Sequence, residues 1–318
     1  MDNLCHTLAG AVLAEAGLRR RTPLAVPTAL IGANAPDLDA LALLRDPLFA
    51  LSVRRGWTHG LLAMLVLPTL LAALMLGWDR LLRRRRDDRA DPMGLLTVAA
   101  AAVLSHPLLD LLNTYGVRLL MPFSGRWFHG DALFIVDPWL WLLFGMGTGL
   151  AIRRRRRGAD PEESARPARA ALVIACGYIG LMLLSNVVGR EIVRSEAARA
   201  GVAPVGELML APAPVNPLRR SVVLVTRGGY RRGTFRWLTS PHLTLDSALV
   251  PSGLDGATAK AAAASPEGAA FLRWSRFPAT VIPPGEPSVV RLYDLRYAGP
   301  AGGWASVDVG VGSAPGGP

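Results

Sequence analysis

The sequence predicts an α-helical membrane bundle, four long transmembrane helices preceded by a short N-terminal helical hairpin, followed by a small β-rich soluble domain. Three observations predict it. Of the 318 residues, 51% are hydrophobic, and the mean hydropathy of +0.31 is too apolar for an ordinary soluble chain of this size. The arginines gather in short runs between apolar stretches. After about residue 190 the composition shifts toward Pro and Gly, with short runs of β-forming residues.

Apolar pieces at 4–17 and 23–35 are each short for a full crossing. They are joined by Arg19-Arg20-Arg21-Thr22-Pro23 and are predicted to form the hairpin that packs against the spans. Longer stretches at 58–79, 93–113, 132–152 and 169–189 reach the roughly 20 apolar residues that a hydrocarbon core of about 30 Å requires. The Arg runs at 19–21, at 83–86 with Arg80, and at 153–157 fall on every second connection. The positive-inside rule places all three in the cytoplasm and the intervening connections outside. No cleavable signal peptide is expected, because residues 19–21 follow the first apolar segment instead of preceding it.

Residues 1–189 therefore read as a membrane-embedded helical domain. Residues 190–318 read as an extramembrane domain delivered to the periplasmic side by the fourth span. Within the latter, 221–225 and 289–293 are strand candidates. Arg227-Gly228-Gly229-Tyr230 predicts a hairpin between 221–226 and 234–238. The Ala-rich stretch 255–268 reads as a helix or a loose connection, and the Gly/Pro tail from Gly310 as disordered. The formal charge of +11 does not point to nucleic acid, since the Arg runs separate apolar stretches and lie on no face with interleaved aromatics. Two cysteines permit no disulfide framework of the kind small secreted domains use.

The predicted outer segments collect the residues that carry chemistry. Asp2 and His6 are four apart and share a helix face; they serve one ion, or Asp2 caps the helix beside a buried His6. In Asn34-Ala35-Pro36-Asp37-Leu38-Asp39, two carboxylates bracket an irregular backbone. They offer oxygen ligands, or one ligand and one general base, or a cap for the next helix. Thr58 and His59 stand at the mouth of the first long span, where a buried His needs a partner. His106 and Asp110 form the most specific local signal, an i, i+4 pair inside a span that otherwise lacks charge after Asp91. Asn113, His129 and Asp131 lie in the loop that follows, and Asp137 falls several residues into the third span, where a carboxylate again needs a partner. Four of the five histidines thus meet five aspartates, Asp2, Asp37, Asp39, Asp110 and Asp131, on one side of the bundle. Imidazoles with carboxylates favour zinc, with manganese second.

These residues resemble the YdjM/YfhP-like membrane-bound metal-dependent hydrolases of bacteria. The resemblance is carried by Asp2 and His6, Pro36-Asp37 with Asp39, Arg55-Gly56 with Thr58-His59-Gly60, and the run from Ser105-His106 through Asp110, Asn113, Tyr115-Gly116 and Pro122 to Asp137-Pro138. Asp294-Leu295-Arg296-Tyr297 also resembles that family. Where its pattern has a His before Arg-Gly, this chain has Arg54. A more distant similarity is to the zinc-dependent phospholipase C and P1 nuclease group, whose ligand order His, Asp, His, His-x-x-x-Asp is followed by His6, Asp37 or Asp39, His59, and His106 with Asp110. The later His-x-x-x-Glu and the N-terminal Trp of that group have no counterpart.

The expected activity is hydrolysis of a phosphoester or lipid-linked substrate by metal-activated water, at the outer face of the bacterial inner membrane. His6, Asp39, His59, His106 and Asp110 are the expected ligands, Asp37 the general base, and Arg55 or Arg126 the holder of an anionic group. Membrane lipids are the expected partners. A structural metal site in a non-enzymatic protein, or a metal or ion transporter, is the alternative; a transporter needs polar residues along a path, whereas here they collect at one end. Asp294, Arg296 and Tyr297 touch substrate or form a salt bridge and core. Arg273-Trp274-Ser275-Arg276-Phe277 rests on headgroups or covers the domain's own apolar surface.

Overall fold

A computed structural model describes residues 1–83 and 86–311 of the chain. Residues 84 and 85 of the second Arg run, and the tail from 312, lie outside the described residues. The chain packs as two compact units, one drawn from Met1–Ala40, Arg54–Asn186 and Pro212–Pro217, the other from Leu41–Val53, Val187–Ala211 and the residues from Leu218 onward. The helices in chain order are α1 (Asn3–Glu15), α2 (Ala25–Asn34), α3 (Pro47–Val53), α4 (Leu61–Leu82), α5 (Pro92–Leu111), α6 (Pro138–Arg156) and α7 (Pro161–Arg199).

In the first unit α1 and α2 form the expected hairpin through a 3-10 turn at Leu18–Arg20. They meet through small residues. A Cβ on Gly10 would lie 2.6 Å from the Ala29 carbonyl oxygen, so a residue with a side chain cannot keep this approach. Ala14, Ala25, Ala29 and Ala33 continue the seam, and Val98 and Ala102 of α5 close on it. The consequence is that α2 lies between α1 and α5 with backbones close, which lets side chains near their ends meet. Cys5, Ala9 and Val12 on another face of α1 pack against Leu140 and Phe144 of α6 and Ala168 and Ala171 of α7. Leu71, Ala72 and Met75 of α4 pack on Leu95, Ala99 and Val103 of α5.

Among the described residues three helices, α4, α5 and α7, are long and apolar enough to cross a membrane, where the sequence predicts four spans. The predicted span at 132–152 is the one that falls short. Asp137 caps α6 and so starts it only at Pro138, and Arg153, Arg154, Arg155 and Arg156 fill its last turn, leaving too short an apolar length between. Helix α7 instead outruns its predicted end at 189, because Arg190, Glu191 and Arg194 end the apolar stretch without breaking helical backbone. Leu65 and Leu74 of α4, and Val173, Leu181 and Leu184 of α7, remain exposed, an apolar surface suited to lipid.

The second unit contains β1 (Leu208–Pro212), β2 (Arg219–Thr226), β3 (Gly229–Arg236), β4 (Leu243–Val250), α8 (Ala257–Ala264), α9 (Pro266–Trp274), β5 (Pro278–Val281), β6 (Val289–Asp294) and β7 (Ser306–Gly310). One sheet has the order β1-β2-β3-β4 and the other β5-β6-β7. The predicted hairpin is present with a tighter turn. Thr226 pairs with Gly229, so Arg227-Gly228 alone form the loop, and Gly228 takes φ 92°, which suits Gly. Alternation along β2 sends Val222 and Leu224 to a cluster with Phe235 and with Val193 and Ala197 of α7, while Val223 joins Phe277, Ala279 and Tyr293. The Ala-rich stretch forms α8 and the start of α9, which Ser265 caps by accepting the Gly268 N–H at 3.0 Å.

Candidate metal centre

Helix α5 presents His106 and Asp110 one turn apart, on the face turned toward α2. The ring nitrogen Nδ1 of His106 lies 2.7 Å from the carbonyl oxygen of Ala33 near the end of α2. A carbonyl only accepts, so Nδ1 carries the proton and Nε2 keeps a lone pair. His59 precedes α4, whose N-cap is Gly60. Its Nδ1 is 2.9 Å from the Thr58 hydroxyl and 3.4 Å from Asp39 Oδ2, and the Thr58 hydroxyl itself donates to Asp39 Oδ2 at 2.7 Å. With its Nδ1 proton directed at that carboxylate, His59 also turns an unprotonated Nε2 inward.

The two Nε2 atoms face each other at 3.2 Å. Asp110 Oδ2 is 3.4 Å from the first and 3.6 Å from the second; Asp37 Oδ1 is 4.0 and 3.6 Å away. One ligand atom from each of Asp37, His59, His106 and Asp110 lies within 4.8 Å of the other three, a group that could hold a metal ion. All four side chains are buried or nearly so, and Asp37 Oδ1 accepts no hydrogen bond. Two imidazole lone pairs and Asp37 Oδ1 gathered out of water without donors are costly, and a divalent cation would satisfy them together. The donor chemistry therefore fits a metal.

The surrounding groups fix this arrangement. Asp39 Oδ2 accepts from the Arg55 N–H at 2.7 Å as well as from Thr58, and orients His59 rather than entering the converging group. Burial alone would raise Asp39, but the hydrogen bonds from His59, the Thr58 hydroxyl and the Arg55 amide outweigh it and hold its carboxyl below the ordinary range. Arg55 adopts φ 51°, which turns its buried guanidinium back onto Asp110, with Nε 3.1 Å from Oδ2. It also donates to Asn113 Oδ1 at 3.1 Å and lies over the Tyr115 ring at 4.6 Å. Asn113 Oδ1 accepts the Tyr115 N–H at 2.9 Å, tying the loop to the end of α5. His6 stacks on His106 with centroids 3.6 Å apart, and its Nε2 lies 3.3 Å from Asp110 Oδ1 without forming a hydrogen bond. The Met1 amino nitrogen pairs with the same carboxylate oxygen.

The other sequence candidates stand apart from the converging atoms. Asp2 caps α1, its Oδ1 accepting the N–H groups of Leu4 and Cys5, and its Oδ2 accepts the Trp141 indole N–H at 3.2 Å. Asn34 donates to Thr7 and to the Leu30 carbonyl. Asp137 caps α6 and accepts the Tyr178 hydroxyl at 3.0 Å. His129 stacks against Trp127, Asp131 is buried at φ 49° with its carbonyl accepting from Asn186, and Arg126 is exposed over Phe128. Arg54, at the position where the resembled pattern has a His, places Nε 3.8 Å from Asp39 Oδ1. Two contributors are not legible in the sequence, the Ala33 carbonyl because every residue carries one, and the left-handed backbone at Arg55 because non-glycine residues seldom announce it.

In the second unit, Asp294 and Arg296 form a buried salt bridge at 2.9 Å, and Trp274 and Phe277 are buried in that unit's interior. Those four side chains therefore serve that unit's own interior, while Arg273 is exposed.

The sequence model of a family described as YdjM inner membrane protein matches residues 1–190, more than half of the chain. Among curated proteins the chain is similar to one described as uncharacterized protein YfhP of Bacillus subtilis (strain 168). The two are 26% identical over 113 residues, covering 36% of this chain and 32% of the relative, so the match spans about a third of that protein's length. No solved structure matches the chain significantly.

Proposed function

This chain belongs to the YdjM inner membrane protein family, and on that premise we propose that it is a membrane-bound metal-dependent hydrolase acting on a phosphoester or lipid-linked substrate. The observation that carries the reading is the facing pair of Nε2 atoms at 3.2 Å, with both Nδ1 protons committed elsewhere and carboxylates of Asp37 and Asp110 completing the group. Two imidazoles with two carboxylates favour zinc, then manganese. A divalent ion held there would supply Lewis acidity and bring the ionisation of water to near pH 7. The chain's own residues supply the rest. Ala33 and Asp39 keep the imidazoles turned inward, and Arg55 holds Asp110 in place. Since Arg55 is committed to Asp110 and Asn113 and Arg126 stands apart, Arg54, 27% exposed beside Asp39, is the guanidinium placed to meet an anionic substrate group.

His59 precedes α4 and Asp110 lies in the last turn of α5, so the group lies at one end of two candidate spans, a position that suits headgroup depth. Arg19 to Arg21, beyond the far end of α1, and Arg80 and Arg83, at the far end of α4, lie away from it, and the positive-inside rule then favours the outer face of the inner membrane for the site. The test is phospholipid cleavage by the purified full chain with and without chelator, beside His106→Ala. Cleavage lost in both is expected; cleavage indifferent to both would sink the reading. The burial of all four donors favours a second reading, a closed structural metal site in a non-enzymatic protein. It is supported instead if the metal is present at full occupancy, chelation lowers thermal stability, and no ester is cleaved.

A further inference from the structure

The opposite end of the first unit carries a cavity that the metal group does not use. It holds about 660 Å³, within the range of ligand pockets. Its walls divide by chemistry. Leu13 and Ala16 of α1, Leu18 of the 3-10 turn and Ala101 in the middle of α5 give an apolar side, while Arg20, Arg21 and Arg169 give a basic one. The basic side is high in the bundle, since the Arg21 carbonyl approaches the first turn of α5 so closely that a Cβ on Gly94 would collide with it. From Gly94 to Ala101 a helix rises about 10 Å, which is the depth over which the lining changes from charged to apolar.

The origin of the cavity is the shortness of α1. Its 13 residues rise about 20 Å, against about 30 Å for the 20 residues of α5. Its end therefore leaves a recess beside the taller helices. The charges around that recess are not balanced. Arg20 and Arg169 share the exposed carboxylate of Glu162, at 2.7 and 2.6 Å, and Arg169 also donates to the Ala16 carbonyl at 2.8 Å. Arg21 is exposed and has no carboxylate partner among the described residues. Three guanidinium groups thus stand against one carboxylate. A smaller adjoining cavity differs in this respect, since the buried Glu15 there pairs with both Arg19 and Arg155.

We propose that this recess binds an anionic glycerophospholipid, its phosphate among Arg20, Arg21 and Arg169 and its acyl chain against Leu13, Leu18 and Ala101. Charge complementarity selects the occupant, because a basic pocket between membrane helices suits an anionic headgroup and the apolar floor suits what is attached to it. The proposal is independent of the metal group, which lies at the other end of α1 and α5.

The test uses the delipidated full chain in a neutral detergent, with thermal unfolding followed as phosphatidylglycerol, phosphatidylcholine or glycerol 3-phosphate is added. Phosphatidylglycerol is expected to raise the midpoint, and the other two to leave it unchanged. Arg21→Gln with Arg169→Gln is expected to weaken the phosphatidylglycerol effect by about fivefold per Arg removed. Ala101→Phe, which fills the apolar side and keeps every charge, should weaken it too. Arg86→Gln, an exposed Arg in another connection, should behave as wild type. An equal response to phosphatidylcholine or to glycerol 3-phosphate would overturn the proposal, as would an equal loss in Arg86→Gln or full binding in the single variant Arg21→Gln and in Ala101→Phe.

Discussion

Asp110 in the helical unit and Asp294 in the β-rich unit are both fully buried carboxylates, yet their neighbours are opposite in kind. Asp294 is surrounded by donors. Its oxygens accept from the Ser275 hydroxyl and the Arg276 N–H at 2.7 Å, from the Arg296 N–H and Nε at 2.9 Å, and from Arg296 again at 3.1 Å. Asp110 has the Met1 amino group and the Asn113 amide on Oδ1 and Arg55 beside Oδ2, but that Oδ2 also faces the lone pairs of His59 and His106, and Asp37 Oδ1 joins them without a donor. The difference teaches that burial alone does not mark a functional carboxylate. What marks it is whether the acceptors around it have been given enough donors.

The largest effect that would break this comparison is on metal content. His106→Ala is expected to lower bound metal, measured by elemental analysis of the purified full chain, to background. Asp294→Asn is expected to retain the wild-type stoichiometry. Metal kept by the first variant or lost by the second would remove the distinction between the two carboxylates. Next in size is stability. Asp294→Ala leaves the Arg296 guanidinium, 1% exposed, without its carboxylate. Breaking a buried pair in this way costs about 3–5 kcal/mol, which denaturant unfolding of the second unit within the full chain would report. A loss under 1 kcal/mol would show that the stacking of Arg296 on Trp274 and Tyr297 holds the charge unaided.

How far the sequence could foresee these two regions follows from the range of each interaction. His106 and Asp110 are legible because an i, i+4 pair on an apolar helix is a local pattern. The choice between Asp37 and Asp39 is not, since both lie in one 3-10 segment, Ala35–Leu44, and only the approach of α4 and α5 decides which carboxylate meets the imidazoles. The hairpin at Gly228 and the strand at 289–293 are local as well, and both form. The sixth helix is where local reading fails, because the apolar composition begins at residue 132 while the cap at Asp137 sets the start of the helix. Asp294 left two roles open in the sequence, and it took Ser275 and Arg276, distant in the chain, to decide between them.

A smaller effect sharpens the metal side of the comparison. Asp39 is a positioning residue, since it reaches the group only through His59. Asp39→Asn is expected to weaken metal affinity by about 10–100-fold, in competition with a chromophoric chelator, while leaving stoichiometry at saturating metal unchanged. Loss of stoichiometry would make Asp39 a ligand.

The smallest expected effect is the pH dependence of the β-rich unit, and its sign follows from Asp294. Burial opposes ionisation there, but the Arg296 charge and hydrogen bonds and the Ser275 hydroxyl outweigh it, so the folded carboxyl lies below its ordinary range. In the unfolded chain it returns to about 3.9. Between the folded and unfolded values the unfolded state binds more protons, so stability rises with pH through that window. The contribution is complete above the unfolded value and is lost as pH falls through the folded one. The exposed pair of Arg291 with Asp308 also holds its carboxyl low, but screening by water leaves it little weight. The gap in unfolding free energy between wild type and Asp294→Asn should therefore narrow on acidification below about pH 4. A gap that stays constant through that range would mean that the donors around Asp294, and not its charge, hold this region together.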